Sequence, residues 1–256
     1  MTTFATLLAD LLRRDPGRPL VTFYDDATGE RVELSVATYA NWVAKTSSLL
    51  VEELDLERGD TIRVDLPTHW LGPVFLGAAW NVGLTLSYDD EVLAGDLVVC
   101  GPDGLDRWSG HDRVVACSLR PLGVRFAEPL PTGVHDFGVE VWGRPDAFVP
   151  WDPPTADDPA TPDATQEKLL TASGDLSGSL AGSLAGSLAG SVAGSVVGSG
   201  GRLLTTANPV TPEGLATFVE PLVAGGSTVW VRNPDPATWS RKYDDERATA
   251  QLGGPS

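Results

Sequence analysis

Phe4, Leu7, Leu8, Leu11 and Leu12 stand at i, i+3, i+4, i+7 and i+8, which predicts an opening amphipathic helix capped by Thr2 or Thr3 and ended by Asp15-Pro16-Gly17. The period then shortens. Residues 20–24 read as a strand, 25–30 as a turn and 31–34 as the returning strand of a hairpin. Ser35 is a good cap for a second helix that runs to about Leu54, with Tyr39, Trp42, Val43, Thr46, Leu49 and Leu50 on one face. Arg58-Gly59-Asp60 makes a turn, Ile62, Val64 and Leu66 alternate as a strand, and Pro67 closes it. A third helix is predicted over 70–81, stopped by Gly83, with a strand at 84–88. A strand, a helix and a strand in that order imply a parallel pair with a right-handed crossover.

From 97 to 143 the pattern is of short strands, predicted at 97–100, 114–118 and 138–142, with room for a short helix at 103–109. Composition changes at Pro150. Residues 151–166 are rich in Asp, Pro, Thr and Ala and read as an extended, solvated connector. From Gly178 the chain repeats Gly-Ser-Leu-Ala, with Gly at 178, 182, 186, 190, 194 and 198. A glycine every fourth residue costs a helix roughly 1 kcal/mol each, and a strand of this sequence would have little to set its register, so the repeat reads as a flexible linker. Order returns with a strand at 203–206. A helix follows, capped by Thr211 with Pro212 at its first position and Leu215, Phe218, Val219 and Leu222 on its apolar face, and then a strand at 227–231. The expected organisation is an α/β module over 1–150, an Asp/Pro-rich connector over 151–177 and the low-complexity insertion over 178–201. The last part, 202–256, is a β-α-β unit too small to stand alone, which docks back on the first module and ends in a polar, frayed tail after Asp244.

Composition adds exclusions. Apolar residues make up 42% of the 256 and charged residues 21%, the profile of a globular chain. The formal charge of −17 repels phosphate backbones and anionic lipid, so nucleic acid and membrane surfaces are poor partners. The uncharged run 66–88 is long enough to span a bilayer, but Pro67, His69, Pro73 and Asn81 argue for a buried strand–helix–strand passage instead. Cys100 and Cys117 form no C-x-x-C pair and suit a reducing compartment as small core residues. With no basic leader at the N-terminus, the expected location is the cytoplasm.

Candidate chemistry is sparse. Asp25 and Asp26 sit in a predicted turn, the ordinary home of such a pair. His111 beside Asp112 is a possible proton-transfer pair without a nucleophile, and His69 and His135 read likewise as turn residues. Three scattered histidines make no metal site. There is no G-x-S-x-G elbow.

Four stretches, in order, resemble the adenylate-forming (acyl-CoA synthetase-like, AMP-binding) enzymes. Leu34-Ser35-Val36-Ala37-Thr38-Tyr39 is similar to the segment by which that family enters its N-terminal region. Gly59-Asp60-Thr61-Ile62 through Leu66-Pro67 is similar to its "G-D-x-V-x-x-x-L-P" strand, and Leu76-Gly77-Ala78 through Gly83 to the following "L-G-A-x-x-A-G" helix. Gly214-Leu215 and Pro221-Leu222 through Val229 resemble "G-L … P-L-x-x-G-x-x-V". The resemblance implies an α/β fold of sheets flanked by helices, with parallel β-α-β units.

It also implies a site and shows it to be degenerate. The family makes acyl adenylates from a carboxylate and ATP, with a phosphate loop of the form "T-S-G-S/T-T-G-x-P-K-G" whose backbone N–H groups and lysine hold the phosphates. Here Ser173 and Gly174 match and then Asp175 puts a negative charge where phosphate would lie, with no lysine until Lys242. Thr211 and Pro212 stand where a histidine often precedes the "G-L" pair. The acyl and adenine pockets and the catalytic lysine of the family would lie beyond Ser256. No catalytic, cofactor-binding or metal residue is therefore carried over, and no cofactor is expected. The expected function is a non-catalytic binding or scaffold module; the alternatives are a nucleotide or coenzyme A binder without chemistry, or half of a split acyl-adenylating ligase. A homodimer or protein partner is expected on the C-terminal β-α-β face, where Trp230 and Val231 would lack cover.

Overall fold

In the computed structural model, which describes residues 1–89, 92–171 and 197–255, Thr3 accepts the Thr6 amide and starts α1 (Phe4–Arg14). β1 (Pro19–Asp25) and β2 (Glu30–Ser35) form the expected hairpin, antiparallel, with Thr22 opposite Glu33 and Phe23 opposite Val32. Ser35 caps α2 (Val36–Glu52), accepting the Thr38 amide at 3.1 Å. β3 (Thr61–Asp65), α3 (Leu71–Val82) and β4 (Thr85–Ser87) follow, and β3 and β4 are parallel as predicted. Gly83 ends α3 with φ at 92°, a conformation only glycine adopts freely.

Next come β5 (Leu97–Cys100), α4 (Leu105–Trp108), β6 (Val114–Ala116), β7 (Val134–Asp136) and α5 (Phe137–Glu140). Then come β8 (Pro159–Thr161), β9 (Ala164–Thr165) and α6 (Gln166–Thr171). The last part holds β10 (Arg202–Thr205), α7 (Ala216–Val223), β11 (Ser227–Arg232), α8 (Pro236–Asp245) and β12 (Ala250–Leu252).

Two five-stranded sheets result, ordered β12-β10-β11-β1-β2 and β4-β3-β5-β6-β7. The second is parallel throughout, and only β2 runs against its neighbour in the first. Alternation along the strands sorts side chains into layers. Trp230 of β11 and Leu97 and Val99 of β5 join one large core that also holds α1, α2, α3 and α7 between the sheets. Val229 and Val231 face the other way, onto Trp239 of α8; Val98 and Cys100 face Trp108 of α4. The order is helix, sheet, helices, sheet, helix. This explains why α3 is apolar on every side: it touches both a sheet and α2, and Gly77 lets it come within 2.8 Å of Phe4 and 3.0 Å of Val43, measured from where a Cβ would stand. Among the described residues no helix is long and apolar enough to cross a membrane.

Several expectations need correction. Residues 138–142 were predicted as a strand; they form α5 and a 3-10 turn, because Asp136 caps them by accepting the Gly138 amide and Phe137 anchors the turn in the core. The adjacent strand, β7, carries little apolar signal. Thr211 does not cap the predicted helix, which begins only at Ala216; Thr211 to Gly214 close a tight turn first. The stretch 151–166 is a solvated connector only at its start, where residues 151–153 are exposed; 159–165 form the β8–β9 ribbon, with Ala156, Ala160 and Thr161 buried. The tail after Asp244 is not frayed: β12 pairs parallel with β10, Leu204 opposite Gln251. Trp230 and Val231 are each 1% exposed, covered by α7 on one face and α8 on the other, so the surface on which the partner expectation rested is filled by the chain itself. The repeat from Gly178 and the positions Ser173, Gly174 and Asp175 lie outside the described residues, apart from the last turn of the repeat at 197–201.

Gln166 shows how the ribbon is fastened. It is fully buried; its Oε1 accepts the Phe4 amide at 2.9 Å and its Nε2 donates to the Trp80 carbonyl at 2.8 Å. Gln166→Ala orphans both groups and is expected to cost about 2–4 kcal/mol, since each unpaired buried group costs roughly 1–3. Urea unfolding checks this; a loss under about 1 kcal/mol means that water replaces the side chain.

Candidate functional site

Of the positions the resemblance marks, Ser173, Gly174 and Asp175 lie outside the described residues, and Thr211 and Pro212 are described. Thr211 Oγ1 donates to the Asn208 carbonyl at 3.1 Å and accepts the Gly214 amide at 3.1 Å, so its hydroxyl is spent on its own turn. Lys242, the first lysine after the phosphate-loop position, is buried and pairs with Asp26 at 2.8 Å. Asp26 also accepts the Asp235 amide, and Asp25 accepts Ala27 N–H and Asn233 Nδ2. The acidic pair thus fastens the C-terminal segment to the first hairpin, a structural duty.

The histidines are dispersed. His111 Nε2 meets the Asp96 carbonyl at 2.9 Å, and His135 Nδ1 meets Glu140 at 3.0 Å. His69 is no exposed turn residue. It is 2% exposed, accepts the Leu71 amide at Nδ1 and packs on Phe23 with ring centres 4.8 Å apart. Burial, with repulsion from Arg232 next, pushes its pKa down to about 3, against a smaller opposing pull from Asp25. Cys100 and Cys117 are free and buried; burial pushes the Cys100 thiol up to about 12 and Cys117 well up too, which leaves neither a ready nucleophile. Among the described residues no group of three or more metal-ligating side chains gathers.

What the fold does assemble is a cleft of about 470 Å³ between β2 and α2. Thr38, Asn41, Trp42 and Lys45 line it from α2, at i, i+3, i+4 and i+7. Trp70, just before α3, and Trp142, in the turn after α5, close it; Trp42 meets both at steep angles, 65° and 70°, with ring centres 5.0 and 5.3 Å apart. The Trp70 indole N–H is buried without a hydrogen-bond partner. Lys45 pairs with Asp146 at 3.0 Å and also donates to the Arg144 carbonyl, so the cationic group in the cleft is neutralised. A larger hollow of about 780 Å³ lies along the loop at 120–130, but its walls, Val124 and Val139 among them, are exposed and come mostly from one surface loop. The aromatic, half-enclosed cleft has the lining of a binding site.

The pattern reading placed Trp42 on the core-facing stripe of α2 and put Trp142 on a strand, so this grouping was missed. The i+7 spacing from Thr38 to Lys45 marked the face, yet nothing local brings Trp70 and Trp142 to it.

No protein-family model matches the chain. A TIGR03089 family protein of Mycobacterium tuberculosis (strain ATCC 25618 / H37Rv) is 34% identical over 264 residues, covering 98% of this chain and 100% of that protein. Among solved structures, an acyl-CoA synthetase of Brucella canis superposes with a TM-score of 0.68 at 16% identity, over 98% of this chain and 50% of that one. The N-terminal domain of FACL13 from Mycobacterium tuberculosis gives 0.66 at 13%, over 97% and 62%, and coronafacic acid ligase from Pectobacterium brasiliense 0.66 at 9%, over 96% and 49%. The chain thus spans about half to three-fifths of those structures. At such identities the likeness carries the fold: that of the N-terminal region of acyl-CoA synthetases, as the motifs implied.

Proposed function

The chain belongs to the TIGR03089 family, and from that premise we propose that it uses an acyl-CoA synthetase-like fold as a non-catalytic binding module. One observation carries the reading. Where the resemblance puts a histidine, Thr211 closes its own turn, and between Lys168 and Lys242 there is no lysine to meet a phosphate. Phosphoryl and adenylyl transfer depend on cations placed against developing charge, and removing that charge removes most of the stabilisation. Asp175 adds the wrong sign in sequence. The tryptophan-lined cleft is where the module binds. Among the described residues, none of its lining comes from the 166–215 stretch. Two buried free thiols fit a reducing, cytoplasmic setting.

The purified chain is expected to show no ATP–pyrophosphate exchange with a panel of aliphatic and aromatic carboxylic acids. Exchange above background that disappears on Ser173→Ala overturns the reading.

A further inference from the structure

We infer that the cleft takes an extended peptide segment of a partner protein, added as a strand along the free edge of β2. The inference rests on reading the chain as a binding module. Among the described residues β2 is an edge strand, paired to β1 alone. Among the described residues, no backbone hydrogen bond reaches Arg31 to Leu34 from anything but β1. In an antiparallel pair alternate residues turn their N–H and C=O outward, so this edge presents a row of unpaired groups.

That row faces the cleft. Arg31, Val32, Glu33 and Leu34 all line it, four residues in succession. Side chains on a strand alternate between faces, so four in succession cannot all reach it by side chain. Those of Arg31 and Glu33 are held on the opposite, α8-bearing face: Arg31 by Glu246 at 2.9 Å, and Glu33 by Arg202 at 3.2 Å. They meet the cleft with their backbone. One wall is therefore a strand edge.

The other wall is apolar. It consists of Trp142, 52% exposed, and Leu122, 69% exposed, with Trp42 and Trp70 behind them. A slot between an unpaired strand edge and an apolar wall suits one strand, whose backbone pairs with β2 and whose alternate side chains enter the wall. Because Lys45 is matched by Asp146 and the charged ends of Arg31 and Glu33 lie on the other face, the slot selects no charge. The occupant is an uncharged stretch with apolar side chains at every second position. A second copy would have to bring a whole sheet past Trp142 and Leu122.

The test is selection of phage-displayed random octapeptides on the full chain. The expected result is enrichment of sequences with apolar residues at a period of two. A selected synthetic peptide should bind at least tenfold more weakly to Trp142→Ala and to Leu122→Ser, both exposed positions chosen to leave folding intact. N-methylation of its alternate amides should also cost tenfold, and binding should slow hydrogen exchange at Arg31 to Leu34. No enrichment, enrichment without that period, or binding indifferent to N-methylation and to both variants overturns the inference. A dimer dissolved by Trp142→Ala in sedimentation gives the edge to a second copy and overturns it too. The exchange assay reads adenylation independently, so a failure here leaves the non-catalytic reading standing.

Discussion

Glu246→Ala is expected to lower unfolding stability by about 3–5 kcal/mol, the scale for breaking a buried ion pair from one side. The Glu246 side chain is 6% exposed and pairs with Arg202 and, at 2.9 Å, with Arg31; the Tyr24 hydroxyl donates to it as well. Removing it leaves Arg202, 12% exposed, with Glu33 at 3.2 Å as its remaining carboxylate among the described residues, beside hydrogen bonds to the Thr22 and Ser227 hydroxyls. It also cuts one of the ties between the C-terminal segment and the β1–β2 hairpin, leaving those through Asp25 and Asp26. Burial alone would raise the Glu246 pKa, but the hydrogen bonds from Tyr24, Arg202 and Arg31 outweigh it and hold the carboxyl below its ordinary value. The unfolded chain therefore takes up this proton first as pH falls. The contribution is complete above the ordinary glutamate range and is lost as pH falls through the lower folded value. Urea midpoints at pH 7 for wild type and Glu246→Ala decide the matter, and a difference below about 1 kcal/mol means the network is solvated and weak.

His69 gives an acid window that opens at higher pH. Its folded pKa, about 3, lies below the ordinary 6.5, so the unfolded chain binds this proton first. Stability conferred by the neutral ring is whole above 6.5 and falls as pH drops from there toward 3, by about 1.4 kcal/mol per unit for one proton. The cause is geometric: the ring is sealed against Phe23 and Trp70, its Nε2 has no partner, and Arg232 opposes a second positive charge. Urea unfolding between pH 7 and 5, compared between wild type and a variant without the imidazole, reads this group. His69→Leu should flatten the slope there whatever it costs at neutral pH. Equal slopes in the two proteins mean that the ring protonates in place.

Elements with strong local periods were legible in sequence. α1, the β1–β2 hairpin, α2, and the β3–α3–β4 passage lie within a residue or two of the expected bounds, because caps at Thr3 and Ser35 and the stop at Gly83 act on near neighbours. The apolar face of α7 was readable too, though not its first turn, where Thr211 prefers a side-chain bond to Asn208 over capping. What stayed hidden depends on distant partners. Residues 159–165 form a ribbon because Gln166 and Ala160 reach Trp80, Ala160 through its carbonyl at 3.0 Å, far back in sequence. β12 exists because β10 offers it an edge. His69, polar and flanked by a proline turn, reads as surface until Phe23 and Trp70 close over it.

The candidate site divides the same way. The sequence by itself determined that Asp175 follows Ser173-Gly174 and that no lysine stands between Lys168 and Lys242, which needs no coordinates to be seen. It also determined which helix face carries Trp42 and Lys45, because that follows from a period of 3.6. Only the tertiary structure decided that Trp70 and Trp142 meet Trp42, and that the backbone edge of β2 forms the facing wall. Those four pieces lie on segments up to about a hundred residues apart. Their meeting is set by how the two sheets pack around the shared helices, a long-range balance of burial that no local pattern encodes.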